Sequence, residues 1–235
     1  MSAFLYRWPP AARFGRVVPK SRFYAHASIS TALRQKFVSE IERISWTYKL
    51  AEETIRLRGD DAVPEIQVFG IEIKGDDLSE DALTAIDRSV RTPIVFEITR
   101  PLAAGGQVRM TAAQKQLGGG APRLSTYLTT DWLPGDASRV PLPPALDLAT
   151  LYVALLTPIL PITARRGEKL SDAIGRIEQV RKLEREIATL ERKLRTEPQF
   201  NRKVDLRRDL LTRQAKLTEL TAPATPTTED TPWTS

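Results

Sequence analysis

Three charged residues near the middle of the chain could together hold a metal ion and act on a phosphate. Glu72 and Lys74 are two positions apart in an apolar run, so on a strand both would lie on the same side. Asp61 precedes this run in a turn-like segment. Two carboxylates and a lysine are typical of Mg²⁺-dependent restriction-type nucleases, where the carboxylates hold the metal and the lysine positions water or phosphate. A polar strand end that faces solvent is the simpler interpretation, and we favour it.

The composition excludes most other catalytic chemistry. The chain has no cysteine, and its one histidine is His26. The absence of cysteine excludes disulfides, thiolate catalysis and Cys–His pairs. With a single histidine, a catalytic Ser–His pair has no support and a zinc site is not expected. The glycines at 118–120 are not followed by the Lys-Ser/Thr of a phosphate loop. We expect neither a metal nor a cofactor, and we favour a protein without catalytic activity.

Basic residues form a second set of candidate functional residues. The formal net charge is +6, which favours association with acidic partners without specifying a fold. Interleaved acidic residues would make ordinary ion pairs, so the set indicates either a solvated helical face or a surface for a protein partner or a nucleic-acid backbone. The arginine-rich N-terminal segment could also contact nucleic acid. The C-terminal candidates are Arg181, Lys182, Arg192, Lys193, Arg202, Lys203, Arg207 and Arg208.

The elements that must position Glu72 and Lys74 are predicted to form a mixed sheet. The β-branched run at 65–74 predicts a strand, Ser79 begins a helix, and Pro93 opens a second, almost wholly apolar strand. This strand–helix–strand order predicts a parallel pair. Runs at 107–114 and 123–132 follow glycine turns and predict two antiparallel strands. The fold class is therefore α+β, with a four-stranded sheet in the order β-α-β-β-β and packing helices.

A helix is predicted ahead of this sheet and a buried one after it. Apolar residues from Leu33 to Tyr48 recur every three or four positions after a cap at Ser30 or Thr31. The leucine-rich stretch at 144–161 is interrupted by Pro158 and is too short for the ~30 Å core of a bilayer. It predicts a core helix around Leu146, Leu151 and Leu155. We expect no membrane segment and a cytoplasmic location.

The C-terminal part predicts a helical hairpin. Leu183, Ile187, Leu190 and Leu194 step by four, three and four, which is coiled-coil spacing, and a second such series follows Pro198. The predicted organisation is a basic extended arm at 1–29, an α/β body at 30–164, an antiparallel coiled-coil hairpin at 165–220 and a disordered tail at 221–235.

Several scattered motifs resemble a bacterial family known as domain-of-unknown-function 4391. The likeness covers about residues 15–220 and departs from the family at Lys115, where an aromatic residue is expected before the lysine but Gln114 stands. The motifs are Lys20 with Phe23-Tyr24, ISWTYKL at 44–50, EIQVF at 65–69, PIVFE at 93–97, DWLP at 131–134, LP at 142–143 with ALDL at 145–148, and QFNRKV at 199–204.

The resemblance implies a setting and supplies no catalytic residues. Members of the family are similar to companions of DNA methyltransferases and helicases in restriction-like bacterial systems of phage defence. Our leading hypothesis is a non-catalytic accessory or scaffolding subunit that binds such an enzyme, with the hairpin as its docking arm. The alternative is a Mg²⁺-dependent nuclease that uses Asp61, Glu72 and Lys74.

Overall fold

The computed structural model describes residues 4–25, 30–101, 106–117 and 122–222. The chain divides into two compact units, Met1–Pro161 and Ile162–Ser235. His26, the glycines at 118–120 and the predicted tail beyond Ala222 lie outside the described residues. No helix among the described residues is long and apolar enough to cross a membrane.

The first unit contains eleven strands and five α-helices within its described residues. The strands are β1 (Leu5–Tyr6), β2 (Arg13–Val17), β3 (Ile41–Leu50), β4 (Ile66–Ile73), β5 (Ile94–Arg100), β6 (Gln107–Ala112), β7 (Lys115–Gln116), β8 (Arg123–Leu124), β9 (Leu128–Thr129), β10 (Leu133–Pro134) and β11 (Arg139–Val140). The helices are α1 (Ser21–Ala25), α2 (Thr31–Glu40), α3 (Glu52–Ile55), α4 (Glu80–Ser89) and α5 (Leu148–Leu156).

A mixed sheet organises this unit, which confirms the predicted α+β class. Seven of its described strands join in the order β10-β6-β5-β4-β3-β2, with β9 also paired to β6. The pair β4–β5 is parallel and is linked through α4, as the strand–helix–strand pattern predicts, and its neighbours are antiparallel. The sheet is larger than the predicted four strands because β2 and β3 extend it and two short strands, β9 and β10, pair with β6. The run at 123–132 was wrongly predicted as one strand: it contains β9 and also β8, which pairs with β7 outside this sheet.

The segment at 41–50 is a strand, so the prediction of a helix as far as Tyr48 is wrong. Helix α2 begins after the predicted cap at Ser30, whose side chain accepts a hydrogen bond from Leu33 N. It ends at Glu40, and β3 starts at Ile41. The pairing of β3 with β4 shifts register between Ile41 and Arg43 and again after Trp46. Such irregularities break the two-residue alternation of a strand and leave apolar spacings that imitate a helix.

The N-terminal segment, predicted as an extended arm, is part of the fold. β2 pairs with β3 at the edge of the sheet, and β1 forms a separate parallel pair with β11. Gly15 has a φ of +70° within β2, where the pairing is irregular. The arginines of β2, Arg13 and Arg16, are exposed.

The main core lies between the sheet and the helices α1, α2 and α4. Alternate residues of β4 and β5 point into it, among them Phe69, Ile71 and Phe96. Five residues that the apolar pattern predicts as core are buried: Phe37, Val68, Phe96, Leu151 and Leu155. Leu146 is 90% exposed because α5 begins two residues later.

The second unit is a pair of long antiparallel helices. α6 covers Leu170–Thr196 and α7 covers Phe200–Thr221, and the two pack against each other. Arg213 of α7 donates a hydrogen bond to Glu186 of α6 at 2.9 Å, and Arg176 of α6 donates to the carbonyl of Leu220 of α7 at 3.0 Å. The residue that is earlier in α6 therefore contacts the residue that is later in α7, so the two helices are antiparallel. Arg176 also bonds Glu168, and these hydrogen bonds hold the pKa of Glu168 at about 2.

We expect Phe96→Ala to lower the free energy of unfolding by ~3–5 kcal/mol, because it empties a fully buried site at the centre of the sheet. Phe200→Ala is the matched control, since the Phe200 side chain is 76% exposed and its loss should stay within ~0.5 kcal/mol. Urea denaturation of both variants measures the difference. Equal midpoints for Phe96→Ala and the natural protein would contradict the assignment of β5 as the central strand.

Candidate functional site

Glu72 and Lys74 line one cavity at the C-terminal end of β4. This cavity of about 410 Å³ also has Glu42, Thr99 and Arg100 on its walls. Glu42 comes from the irregular start of β3, and Thr99 and Arg100 end β5, so three adjacent strands converge there. The predicted neighbours Glu72 and Lys74 are thus brought together, with a second carboxylate that the sequence did not single out.

Asp61, the third residue of the nuclease hypothesis, is not part of this cavity. It is exposed in the loop that precedes Ile66, the first residue of β4. Glu72 is six residues further along the strand, a distance of ~20 Å at ~3.3 Å per residue. Glu42 occupies the place beside Lys74 that Asp61 was expected to fill. No group of three metal-binding side chains forms within the described parts of the chain.

The charges around this cavity are already compensated. Arg43 donates to one oxygen of Glu72 through its Nε, at 2.9 Å, and through a terminal nitrogen. Lys74 lies 3.6 Å from Glu42 and donates to the carbonyl of Val38 at 3.0 Å. A metal ion would have to compete with these contacts for both carboxylates.

The most deeply buried charges lie elsewhere, in the pair Asp87–Lys115. Both side chains are inaccessible to solvent, and Nζ of Lys115 is 2.5 Å from the Asp87 carboxylate. The same ammonium donates to the carbonyls of Asp87, Val90 and Thr92 at 2.7–2.8 Å. These four contacts close the C-terminal end of α4, where unpaired carbonyls would otherwise be buried.

Two tyrosines complete this buried group. Tyr127 donates to the second oxygen of Asp87 at 3.2 Å, and Tyr152 of α5 binds the backbone on both sides of Gln114. An aromatic ring therefore reaches this segment from α5. Burial raises the pKa of Asp87 and lowers that of Lys115, while their contact opposes both shifts. Since both side chains are inaccessible to solvent, we assign the group a structural role.

A second internal ion pair fastens the N-terminal strands to the sheet. Glu97 of β5 accepts from Trp8 Nε1 at 2.8 Å and from both terminal nitrogens of Arg139 at 2.6 and 3.2 Å. Arg139 lies in β11, which pairs with β1. The carboxylate of Glu97 therefore links β5 to the pair of β1 and β11. The sequence gives no local indication of this ion pair, because Glu97 and Arg139 are far apart along the chain.

The basic candidates of the hairpin form a largely exposed set. Arg181 is half-buried, and the other seven, Lys182, Arg192, Lys193, Arg202, Lys203, Arg207 and Arg208, are exposed. Residues 162–222 hold sixteen Lys and Arg against ten Asp and Glu, an excess equal to the net charge of the whole chain. The described residues of the helical unit thus carry a clear positive excess.

An apolar stripe runs along the outer side of α7, and we call it the α7 stripe. It consists of Phe200, Val204 and Leu211, which are 76%, 52% and 60% exposed. Their spacings of four and seven place them on one face of a helix. The leucines that face α6, such as Leu206 and Leu210, are half-buried and lie on another face. Arg207 lies on the same face, between Val204 and Leu211, and Lys203 lies beside it; neither has an ion-pair partner among the described residues.

The family described as "Domain of unknown function (DUF4391)" matches residues 7–217. The chain belongs to this family. The match spans the sheet and most of the hairpin, so the two units occur together within one family domain. Neither the curated proteins nor the solved structures contain a match to the DUF4391 chain.

We expect Lys115→Met to lower the free energy of unfolding by ~3–5 kcal/mol, because it leaves the Asp87 carboxylate and three carbonyls without their partner. Lys182→Met is the control, since that side chain is exposed. Thermal unfolding followed by circular dichroism compares the two. The double variant Asp87→Asn/Lys115→Met should recover part of the loss, and a fully additive double loss would contradict the pairing.

Proposed function

We propose that this DUF4391 protein is a non-catalytic accessory subunit that binds a DNA-modifying or DNA-translocating enzyme through its helical hairpin. The α7 stripe carries the proposal. Apolar side chains exposed in a row, with charged residues at their rim, are typical of protein-binding surfaces. The partner class, a DNA methyltransferase or a helicase of a restriction-like defence system, comes from the family resemblance.

The charge of the hairpin indicates which kind of partner surface would fit. Lys203 lies beside the α7 stripe, Arg207 lies within it, and Arg202 and Arg208 extend the basic surface around the helix. An acidic surface with an apolar pocket at its centre is complementary to this arrangement, and its charges would speed association and select against basic competitors. The half-buried leucines toward α6 leave the outer face free for such a partner.

We expect Lys203→Glu/Arg207→Glu to weaken capture of the enzyme partner during co-purification from the native host, most strongly at low salt, because one charge lies beside the stripe and the other within it. Arg58→Glu/Arg123→Glu is the matched control: it makes the same charge change at two exposed arginines of the other unit. Quantitative mass spectrometry of the captured methyltransferase or helicase measures the effect.

An independent variant separates the apolar from the electrostatic contribution. Phe200→Ser/Leu211→Ser removes the exposed apolar surface without a change of charge, and it should reduce capture at all salt concentrations. Undiminished capture by both the charge-reversal pair and this pair would refute docking through α7.

The alternative function, a Mg²⁺-dependent nuclease, is favoured by one observation: Glu42, Glu72 and Lys74 line the same cavity. Mg²⁺ can be bound by one or two protein carboxylates together with substrate phosphates. Against it, Arg43 holds Glu72, and Lys74 is engaged by Glu42 and a backbone carbonyl. We therefore keep the accessory subunit as the conclusion.

We expect the purified protein to leave plasmid and single-stranded DNA intact in the presence of Mg²⁺ or Mn²⁺, because both cavity carboxylates are already paired. Agarose and denaturing gels measure the products over time. Cleavage that disappears in Lys74→Ala and persists in Lys216→Ala, an exposed lysine of α7, would instead establish the nuclease.

A further inference from the structure

Helix α7 carries two rows of regularly spaced side chains, one on each of two sides. The outer row is the α7 stripe together with Arg207, and its members step by four, three and four: Phe200, Val204, Arg207 and Leu211. The inner row faces α6, is half-buried throughout and steps by four, three, four and three: Leu206, Leu210, Arg213, Leu217 and Leu220. Both rows have the heptad period of a coiled coil. At ~100° per residue the two rows lie ~130° apart around the helix, so α6 leaves the outer row uncovered.

The arginine of the inner row is paired with a carboxylate of α6. Arg213 occupies a position where the heptad period requires an apolar residue, three residues after Leu210, and its Nε donates to Glu186 at 2.9 Å. Both side chains are half-buried. A charge placed in a helix interface is costly without a partner. In this interface the neighbouring helix supplies the partner.

Arg207 holds the corresponding position in the outer row. It follows Val204 by three residues and precedes Leu211 by four, just as Arg213 follows Leu210 by three residues. Arg207 is exposed and has no ion-pair partner among the described residues. The side chains of Val204 and Leu211 are 52% and 60% exposed. The outer row therefore has the composition of the inner row but faces solvent.

The repeat of the outer row fits a second helix and not an extended chain. Its residues recur once a turn, or every ~5.4 Å along the axis, which is also the repeat of a helix packed alongside. Residues on one face of a strand recur every ~6.6–6.8 Å, so a strand would lose register with the row within a few residues. The exposed residues Ala215 and Thr218 continue the row by steps of four and three. The row then spans ~27 Å, the length of a helix of about 18 residues.

The charge of α7 indicates that the packing helix is acidic and comes from another protein. Helix α7 holds six Lys and Arg against three Asp and Glu. The three acidic residues, Asp205, Asp209 and Glu219, lie outside the outer row. A second copy packed row against row would therefore offer Arg207 no carboxylate and would bring like charges together. An acidic helix of a different protein avoids both penalties.

We propose that the enzyme partner packs one acidic, amphipathic helix on the outer row of α7, with a carboxylate among its apolar core residues paired to Arg207. The inference rests on the proposed docking of that enzyme through the hairpin, and it specifies the element that docks. A charged pair inside an apolar seam fixes the register of two helices and excludes helices that lack the carboxylate. Arg207 is thus the residue that determines specificity, and the apolar side chains beside it supply contact area.

The first test uses a synthetic acidic helix of 21 residues as the probe. It has leucine at its heptad core positions, one glutamate at the central core position and a fluorescein label, and its anisotropy is followed as the full chain is added. Arg207→Glu should weaken binding by about tenfold or more, because two carboxylates then face each other. Lys216→Glu is the matched control, with the same charge change at an exposed residue on another side of α7, and it should stay within about twofold.

A second peptide, with lysine at the central core position, separates pairing from net charge. It should bind Arg207→Glu at least as well as it binds the natural protein, because the opposite charges are exchanged. An equal loss with both peptides would reduce the effect of Arg207→Glu to net charge and overturn the pairing. A natural protein that binds neither peptide would overturn the assignment of the outer row as a helix-packing surface.

Photocrosslinking in the native host identifies the natural occupant of the row. With p-benzoylphenylalanine in place of Leu211, the chain should become linked to the methyltransferase or helicase, whereas the same group in place of Lys216 should not link it. Mass spectrometry locates the linked segment, which should have apolar residues every three or four positions and an Asp or Glu at one core position. An enzyme linked through a segment without this pattern would overturn the helix and leave the accessory role intact. A linked second copy of the chain, or no linked enzyme, would refute docking through α7 as well.

Discussion

One buried ammonium group holds together four parts of the first unit. Lys115 binds the carboxylate and carbonyl of Asp87 at the end of α4 and the carbonyls of Val90 and Thr92 on the way into β5. Its own backbone is fixed by Tyr152 of α5. A charge without water is tolerated only when every donor finds an acceptor, so these elements must meet in one arrangement or leave the charge uncompensated. The parallel pair β4–β5 depends on this closure, because the chain must turn from α4 into β5 at that point.

The centre of the fold could be predicted from the sequence because local signals agree there. Apolar runs, a serine before a helix and a proline before a strand all favour β4, α4 and β5, and the structure has them in that order. Strand β3 was missed for the opposite reason. Its register shifts place Ile41 and Ile44 three residues apart on the core side, which is a helical spacing. Only the pairing with β4 distinguishes a strand from a helix in this segment, and strand pairing is not a local property of the sequence.

The candidate sites could be predicted only in part, for a related reason. Glu72 and Lys74 share a cavity because they share a strand, and that much follows from alternation. Glu42 joins them through a strand thirty residues earlier, and Asp61, which is closer in sequence, lies at the wrong end of β4. Likewise, Glu97 and Arg139 are forty-two residues apart. The helices of the hairpin were easier to predict, because the apolar face of a helix depends only on local spacing.

The edges of the sheet have a consequence for how the protein behaves when crowded. An edge strand offers free peptide groups that could pair with another chain. On one side, β2 is interrupted at Gly15 and carries the exposed side chains of Arg13 and Arg16. On the other, β9 and β10 are only two residues long. Among the described residues, neither edge presents a long, straight row of amides, which disfavours edge-to-edge strand pairing between copies of the protein.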